Sequence, residues 1–147
     1  MAQIRLTKEF RFEMAHVLEG YDGPCRNIHG HSYILYVTVI GIPINNNSNT
    51  KNGMVMDFGE LKRIVNKSII DKFDHSIVVD KNTSKFAAYT SDLFGKVEPV
   101  DFQPTCENLI IHFVDLIKSQ LPTDVKLHHL KLHETATSFA EWYASDN

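Results

Sequence analysis

Residues 4–16 alternate. Ile4, Leu6, Phe10, Phe12, Met14 and His16 share one parity, interrupted only by Lys8. This is the period-2 pattern of a strand with one buried face. Residues 31–41, His-Ser-Tyr-Ile-Leu-Tyr-Val-Thr-Val-Ile-Gly, are β-branched and aromatic almost throughout, which predicts a second strand. The polar run Asn45 to Gly53, with Asn52-Gly53 inside it, reads as a loop between elements.

Beyond the loop the period changes. Asp57 and Glu60 fit a capping box, and Phe58, Leu61, Ile64, Val65 and Ile69 form one helical stripe. A second helix opens at Pro104-Thr105, with Thr105 as N-cap. It presents Leu109, Ile110, Phe113, Val114, Ile117 and Leu121, and stops at Pro122. Residues 125–134 and 138–144 read as two closing strands around Thr135-Ala136-Thr137. Two antiparallel strand pairs with helices on one face make an α+β sandwich. Asp80 to Gln103 has no sustained period and reads as a long surface excursion with one short helical turn.

At 147 residues the chain fits one domain, residues 1–147, and its 43% hydrophobic and 22% charged residues suit a folded core. A net charge of −3 gives no global signal for nucleic acid or an anionic membrane. The longest apolar run, Tyr33 to Ile44, falls short of the ~20 residues a membrane helix needs. Met1 to Arg5 lacks the apolar core of a secretory signal. Two cysteines, Cys25 and Cys106, cannot make a disulfide scaffold and show no Cys-x-x-Cys spacing. The expectation is a cytoplasmic protein with no nucleic-acid or membrane partner.

The eight histidines are not scattered. His29 and His31 sit two apart at the entry to the second strand, so both side chains can face one ion. If the first two strands pair as a hairpin, His16 at the end of the first joins them. Three imidazoles with an open fourth position form the pattern of catalytic zinc. Alternatively, these are three ordinary histidines at a hairpin mouth, satisfied by water or carbonyls. Cys25, in a Gly-Pro-Cys turn, has three readings: a fourth ligand closing the site, a thiolate held near a metal, or a small buried hydrophobe.

Asp74-His75 ends the first helix, where a histidine also favours the helix dipole, and sequence implies no mutual hydrogen bond. Glu134 closes the third strand, where most glutamates are solvated. Glu107 lies in the first turn of the second helix, which favours a carboxylate whatever its role. Cys106 reads as packing, and His112, His128, His129 and His133 show no ligand spacing.

In chain order the positions are Phe12-x-x-Ala15-His16, Cys25-x-x-x-His29-Gly30-His31, Gly53-Met54-Val55-Met56-Asp57-Phe58, Asp74-His75, Pro104-Thr105-Cys106-Glu107-Asn108 and Glu134-Thr135. Together they resemble the 6-pyruvoyl-tetrahydropterin synthase and 6-carboxytetrahydropterin synthase family over nearly the whole chain.

The resemblance implies a tunnelling fold, with a four-stranded antiparallel sheet backed by two helices. Trimers would close a barrel and stack as a homohexamer. It implies zinc on His16, His29 and His31, and Cys25 as general base. Asp74 and His75 would complete the catalytic set from a neighbouring subunit. Glu134 would anchor the pterin ring, with Thr105 and Glu107 lining the pocket. The Cys-x-x-x-His-Gly-His spacing resembles the bacterial 6-carboxy-5,6,7,8-tetrahydropterin synthase branch, which serves queuosine and other 7-deazaguanines. The implied reaction converts 7,8-dihydroneopterin triphosphate to the 6-carboxy product, releasing acetaldehyde and triphosphate. The alternatives are a 6-pyruvoyl synthase and a non-catalytic pterin- or purine-binding module. Arg26, Lys62 and Lys85 are the cations available for a triphosphate, though they form no cluster in sequence.

Overall fold

The computed structural model describes all 147 residues. Strands β1 (Ile4–His16) and β2 (His29–Gly41) form an antiparallel hairpin whose register runs unbroken from Ile4 opposite Gly41 to His16 opposite His29. Strand β5 (Lys126–His133) pairs antiparallel with β2, and β6 (Phe139–Tyr143) with β5. These are the four strands the alternation predicts.

The sheet is nevertheless six-stranded, in the order β4-β3-β1-β2-β5-β6. Strand β3 (Ser76–Asp80) pairs parallel with the end of β1, and β4 (Val97–Val100) parallel with β3. The all-antiparallel, four-stranded expectation is corrected on this flank. Both added strands are short, and their parallel pairing depends on contacts far away in sequence. Pro99 within β4 is tolerated because β4 is the sheet edge, where the missing N–H costs no ladder bond.

One face of the sheet is covered by helices. Helix α1 (Phe58–Val65) starts at Asp57, whose carboxylate accepts the Gly59 N–H at 2.6 Å. It passes through a π-helical turn (Asn66–Ile70) into α2 (Asp71–Phe73). The stripe Leu61, Ile64, Val65 and Ile69 is buried, but Phe58 is 49% exposed. Phe58 follows the cap directly, at the solvent end of the helix. Helix α4 (Cys106–Lys118) is capped by Thr105, whose hydroxyl accepts the Asn108 N–H at 3.3 Å.

The main core lies between these helices and the inward residues of β1, β2 and β5. Phe12 stacks on Tyr33 with ring centroids 5.2 Å apart and meets Phe113 of α4 edge-on at 6.1 Å. Each fully buried side chain of this kind contributes about 1.5–3 kcal/mol. In β5 the register shifts by one at His128, which pairs with no residue of β2. That bulge lets Leu127, Leu130 and Leu132 all face the core although their spacing changes parity. The Asp80–Gln103 excursion contains a four-residue helix α3 (Phe86–Tyr89) as well as β4. It packs Phe86, Tyr89, Phe94 and Val97 on a small second core of Val17, Ile77 and Val79. No helix is long and apolar enough to cross a membrane.

Candidate active site

The hairpin register that makes the core also assembles the histidines. His16, on the inward parity of β1, lies opposite His29, and His31 follows two residues along β2. Their ligand atoms lie within 4.8 Å of one another, a grouping that could hold a metal ion and does not include Cys25. The rings contact one another edge-on or tilted, with centroids 4.5–5.2 Å apart.

Two outer hydrogen bonds orient them. His16 Nδ1 donates to the Pro104 carbonyl at 2.7 Å, and His29 Nδ1 to the Asn27 carbonyl at 2.7 Å. A carbonyl only accepts, so Nδ1 carries the proton at each ring and Nε2 turns inward. The two Nε2 atoms stand 3.0 Å apart. His31 Nε2 is buried with no hydrogen-bond partner. Burial, and secondarily the neighbouring His29 and His31, hold the His16 imidazole down at about 4. Burial also lowers His31. Two Nε2 atoms turned inward at His16 and His29, beside the unpartnered Nε2 of His31, are what a cation satisfies, so the residues fit a metal ion. Ordinary histidines satisfied by carbonyls accounts for two outer nitrogens and leaves the inner ones unexplained.

Glu134, just beyond β5, brings Oε1 to 3.7 Å from His31 Nε2, outside hydrogen-bond reach. The same glutamate lines a cavity of about 350 Å³ with Cys25, Thr105, Cys106 and Glu107. Metal cluster, thiol and carboxylate therefore adjoin. Cys25 sits half-buried in a 3-10 turn (Pro24–Arg26), and its carbonyl accepts the Leu18 N–H at 3.1 Å. Cys106 gives its thiol proton to the Leu132 carbonyl at 3.4 Å, and burial pushes that thiol up to about 11. It is a neutral packing group, as its position in the sequence predicts.

The Asp74–His75 pair is coupled in a way its sequence does not imply. His75 takes a left-handed backbone conformation, φ 58°, which turns its ring back so that Nδ1 lies 2.9 Å from Asp74 Oδ1. Strand β1 fixes the turn: the His75 N–H donates to the Glu13 carbonyl at 2.6 Å, and Asp74 Oδ1 accepts the Glu13 N–H at 2.9 Å. That backbone bond, with the His75 contact, lowers the Asp74 carboxyl. His75 lines a different cavity, of about 440 Å³, with Glu13, His31 and Lys96. Within one chain, His75 and Cys25 share no cavity.

Lys96 is a residue that sequence reasoning missed. Its Nζ donates to the Asp71 and Asp74 carbonyls at 2.8 and 2.7 Å, closing the helix end before His75. Only the helix-end carbonyls give it meaning, and they lie more than twenty positions away. Pro104 was legible as part of a motif, but its carbonyl bond to His16 was not. Of the candidate cations, Lys85 is 3.5 Å from Glu19, while Arg26 and Lys62 are exposed on separate elements.

The sequence profile described as 6-pyruvoyl tetrahydropterin synthase matches residues 5–145. The chain is 37% identical over 141 residues to the 6-carboxy-5,6,7,8-tetrahydropterin synthase of Haemophilus influenzae, covering 94% of this chain and 97% of that one. Its fold matches a structure of an uncharacterized protein from Wolinella succinogenes at a TM-score of 0.81 and 21% identity, over 98% of this chain and 99% of the other. It also matches the 6-pyruvoyl tetrahydropterin synthase of Caenorhabditis elegans at a TM-score of 0.68 and 23% identity, over 98% and 97%. Those two likenesses are of fold. With a profile match along nearly its whole length and the histidine cluster in register, the chain belongs to the 6-pyruvoyl tetrahydropterin synthase family.

Proposed function

We propose that this protein is a zinc-dependent lyase that converts 7,8-dihydroneopterin triphosphate and one water to 6-carboxy-5,6,7,8-tetrahydropterin, a precursor for 7-deazaguanine (queuosine) synthesis, with release of acetaldehyde and triphosphate. Family membership and the relative's name support the pterin chemistry and the carboxy product. The observation that carries the reading is the His16–His29–His31 cluster adjoining Glu134, whose cavity also holds Cys25.

Bound by the three imidazoles, zinc would supply Lewis acidity toward the side-chain hydroxyls of the pterin. Every other role falls to the chain. Glu134 would accept hydrogen bonds from the amide and amino edge of the ring, and a ligand without those donors would leave its carboxylate unpaired. Thr105 and Glu107 line the same cavity and would close around the ring. Cys25 would take the proton from the carbon beside a hydroxyl and return it. His75, held by Asp74, would donate or relay a second proton. Because His75 and Cys25 line different cavities of one chain, we assign the Asp74–His75 half of the set to a neighbouring subunit of a homo-oligomer.

The test is metal dependence. Protein stripped by a chelator should not consume the triphosphate, added zinc should restore it, and His29→Ala should stay inactive with zinc present. Full turnover by the stripped protein would overturn the reading.

A further inference from the structure

The loop from Val17 to Ile28 carries Cys25, and its own hydrogen bonds are local. Leu18, Tyr21, Arg26 and Asn27 each donate a backbone N–H to a carbonyl within the loop itself. Apart from the His29 Nδ1 bond to the Asn27 carbonyl at the β2 end of the loop, polar side-chain contact from outside enters at Glu19. Tyr89 donates its hydroxyl to Glu19 Oε1 at 2.6 Å, and Lys85 Nζ lies 3.5 Å from Glu19 Oε2. Both partners come from the excursion between β3 and β4. The Tyr89 ring packs on the small core formed by Val17, Ile77 and Val79. Burial and the Glu19 carboxylate push the Tyr89 phenol up to about 12, so it stays a donor across the physiological range.

We propose that Tyr89, through Glu19, is a positioning residue that holds the Cys25 loop against the reaction cavity. The excursion is thus a brace for the catalytic loop. The inference rests on the function proposed above only where it speaks of turnover; the tether itself is a matter of loop order. Ring packing fixes where Tyr89 stands, and its hydroxyl fixes where Glu19, six residues before Cys25, can go. A hydroxyl–carboxylate bond of this length is of the charge-assisted kind, stronger than a neutral one. Lys85 adds a mostly exposed ion pair of little weight.

The experiment compares Tyr89→Phe, Glu19→Ala and Glu19→Gln in the zinc-loaded full chain. Phe keeps the ring in its apolar cluster and removes only the hydroxyl. Gln keeps an acceptor for that hydroxyl. Iodoacetamide labelling is followed by mass spectrometry at Cys25, with Cys106 as reference for general loosening. Tyr89→Phe and Glu19→Ala should label Cys25 about fivefold faster, the population effect of losing one such bond, with Cys106 unchanged. Turnover should fall by a similar factor in kcat with little change in KM, and Glu19→Gln should recover most of both. Equal labelling of Cys25 in all forms overturns the proposal, as does parallel acceleration of Cys106. Native kcat in Tyr89→Phe, where Cys25→Ala is inactive, also overturns it. Native turnover in Cys25→Ala itself would instead defeat the functional reading, and the labelling would still decide whether the tether exists.

Discussion

Acidifying the metal-free protein should unfold it through His16. The ring is 1% exposed, and burial holds it at about 4, against 6.5 for a solvated imidazole. The lowered value means that the unfolded chain binds a proton the native chain refuses between those limits. Stability from this group is therefore complete above pH 6.5 and is lost as pH falls from 6.5 toward 4. Each pH unit in that window is worth about 1.4 kcal/mol, so the whole interval costs about 3 kcal/mol. His31, lowered for the same reason, adds to the slope in the same direction. At a urea slope of about 1.5–2 kcal/mol per molar, His16 alone moves the midpoint by about 1.5–2 M. The assay is urea unfolding of chelator-treated protein at pH 7.5, 5.5 and 4.2, followed by fluorescence of Trp142, the only tryptophan, which packs against the core. His16→Asn is the comparator, since its amide can still donate to the Pro104 carbonyl and does not titrate. It should flatten the acid slope by the His16 share, leaving the part that His31 supplies, whatever its own stability. Parallel pH dependence in the two proteins would refute the assignment of a buried neutral imidazole.

Three further outcomes follow from the same geometry. Cys25→Ala should keep one metal per chain by elemental analysis, because Cys25 lies outside the ligand group, while turnover falls by about 10²-fold or more, as for loss of a general base. Metal loss in that variant would make Cys25 a ligand. If Glu134 binds the ring as proposed, Glu134→Gln should lower kcat/KM about 30- to 100-fold, the effect of mispairing a half-buried carboxylate with ring donors, with metal content intact. Tyr33→Phe should raise stability by about 1 kcal/mol in urea, since the Tyr33 hydroxyl is buried without a partner. A loss of stability there would mean that the hydroxyl is bonded in solution.

How much the sequence reveals depends on how far each feature reaches along the chain. The alternation of β1 and the His29-x-His31 pair are local, so the three histidines could be placed together once a hairpin was assumed. Asp57 and Thr105 were legible as caps because capping is a matter of one turn. Strands β3 and β4 were not, because each is short and pairs parallel across an intervening helix or excursion. The bulge at His128 was hidden because a shift of parity within β5 looks like imperfect alternation until its partner strand is known. The Asp74–His75 contact depends on a left-handed backbone at a non-glycine residue, which Glu13 enforces from sixty-odd positions upstream. Lys96 and the Tyr89–Glu19 bond are likewise long-range contacts of single polar side chains, with no periodic signal.

Product analysis separates the carboxy reaction from its alternatives in one experiment. Zinc-loaded protein incubated with 7,8-dihydroneopterin triphosphate and examined by mass spectrometry should yield 6-carboxy-5,6,7,8-tetrahydropterin and acetaldehyde together. A 6-pyruvoyl product would keep the site and contradict the carboxy assignment, and unchanged substrate would contradict the claim that this site is catalytic for it.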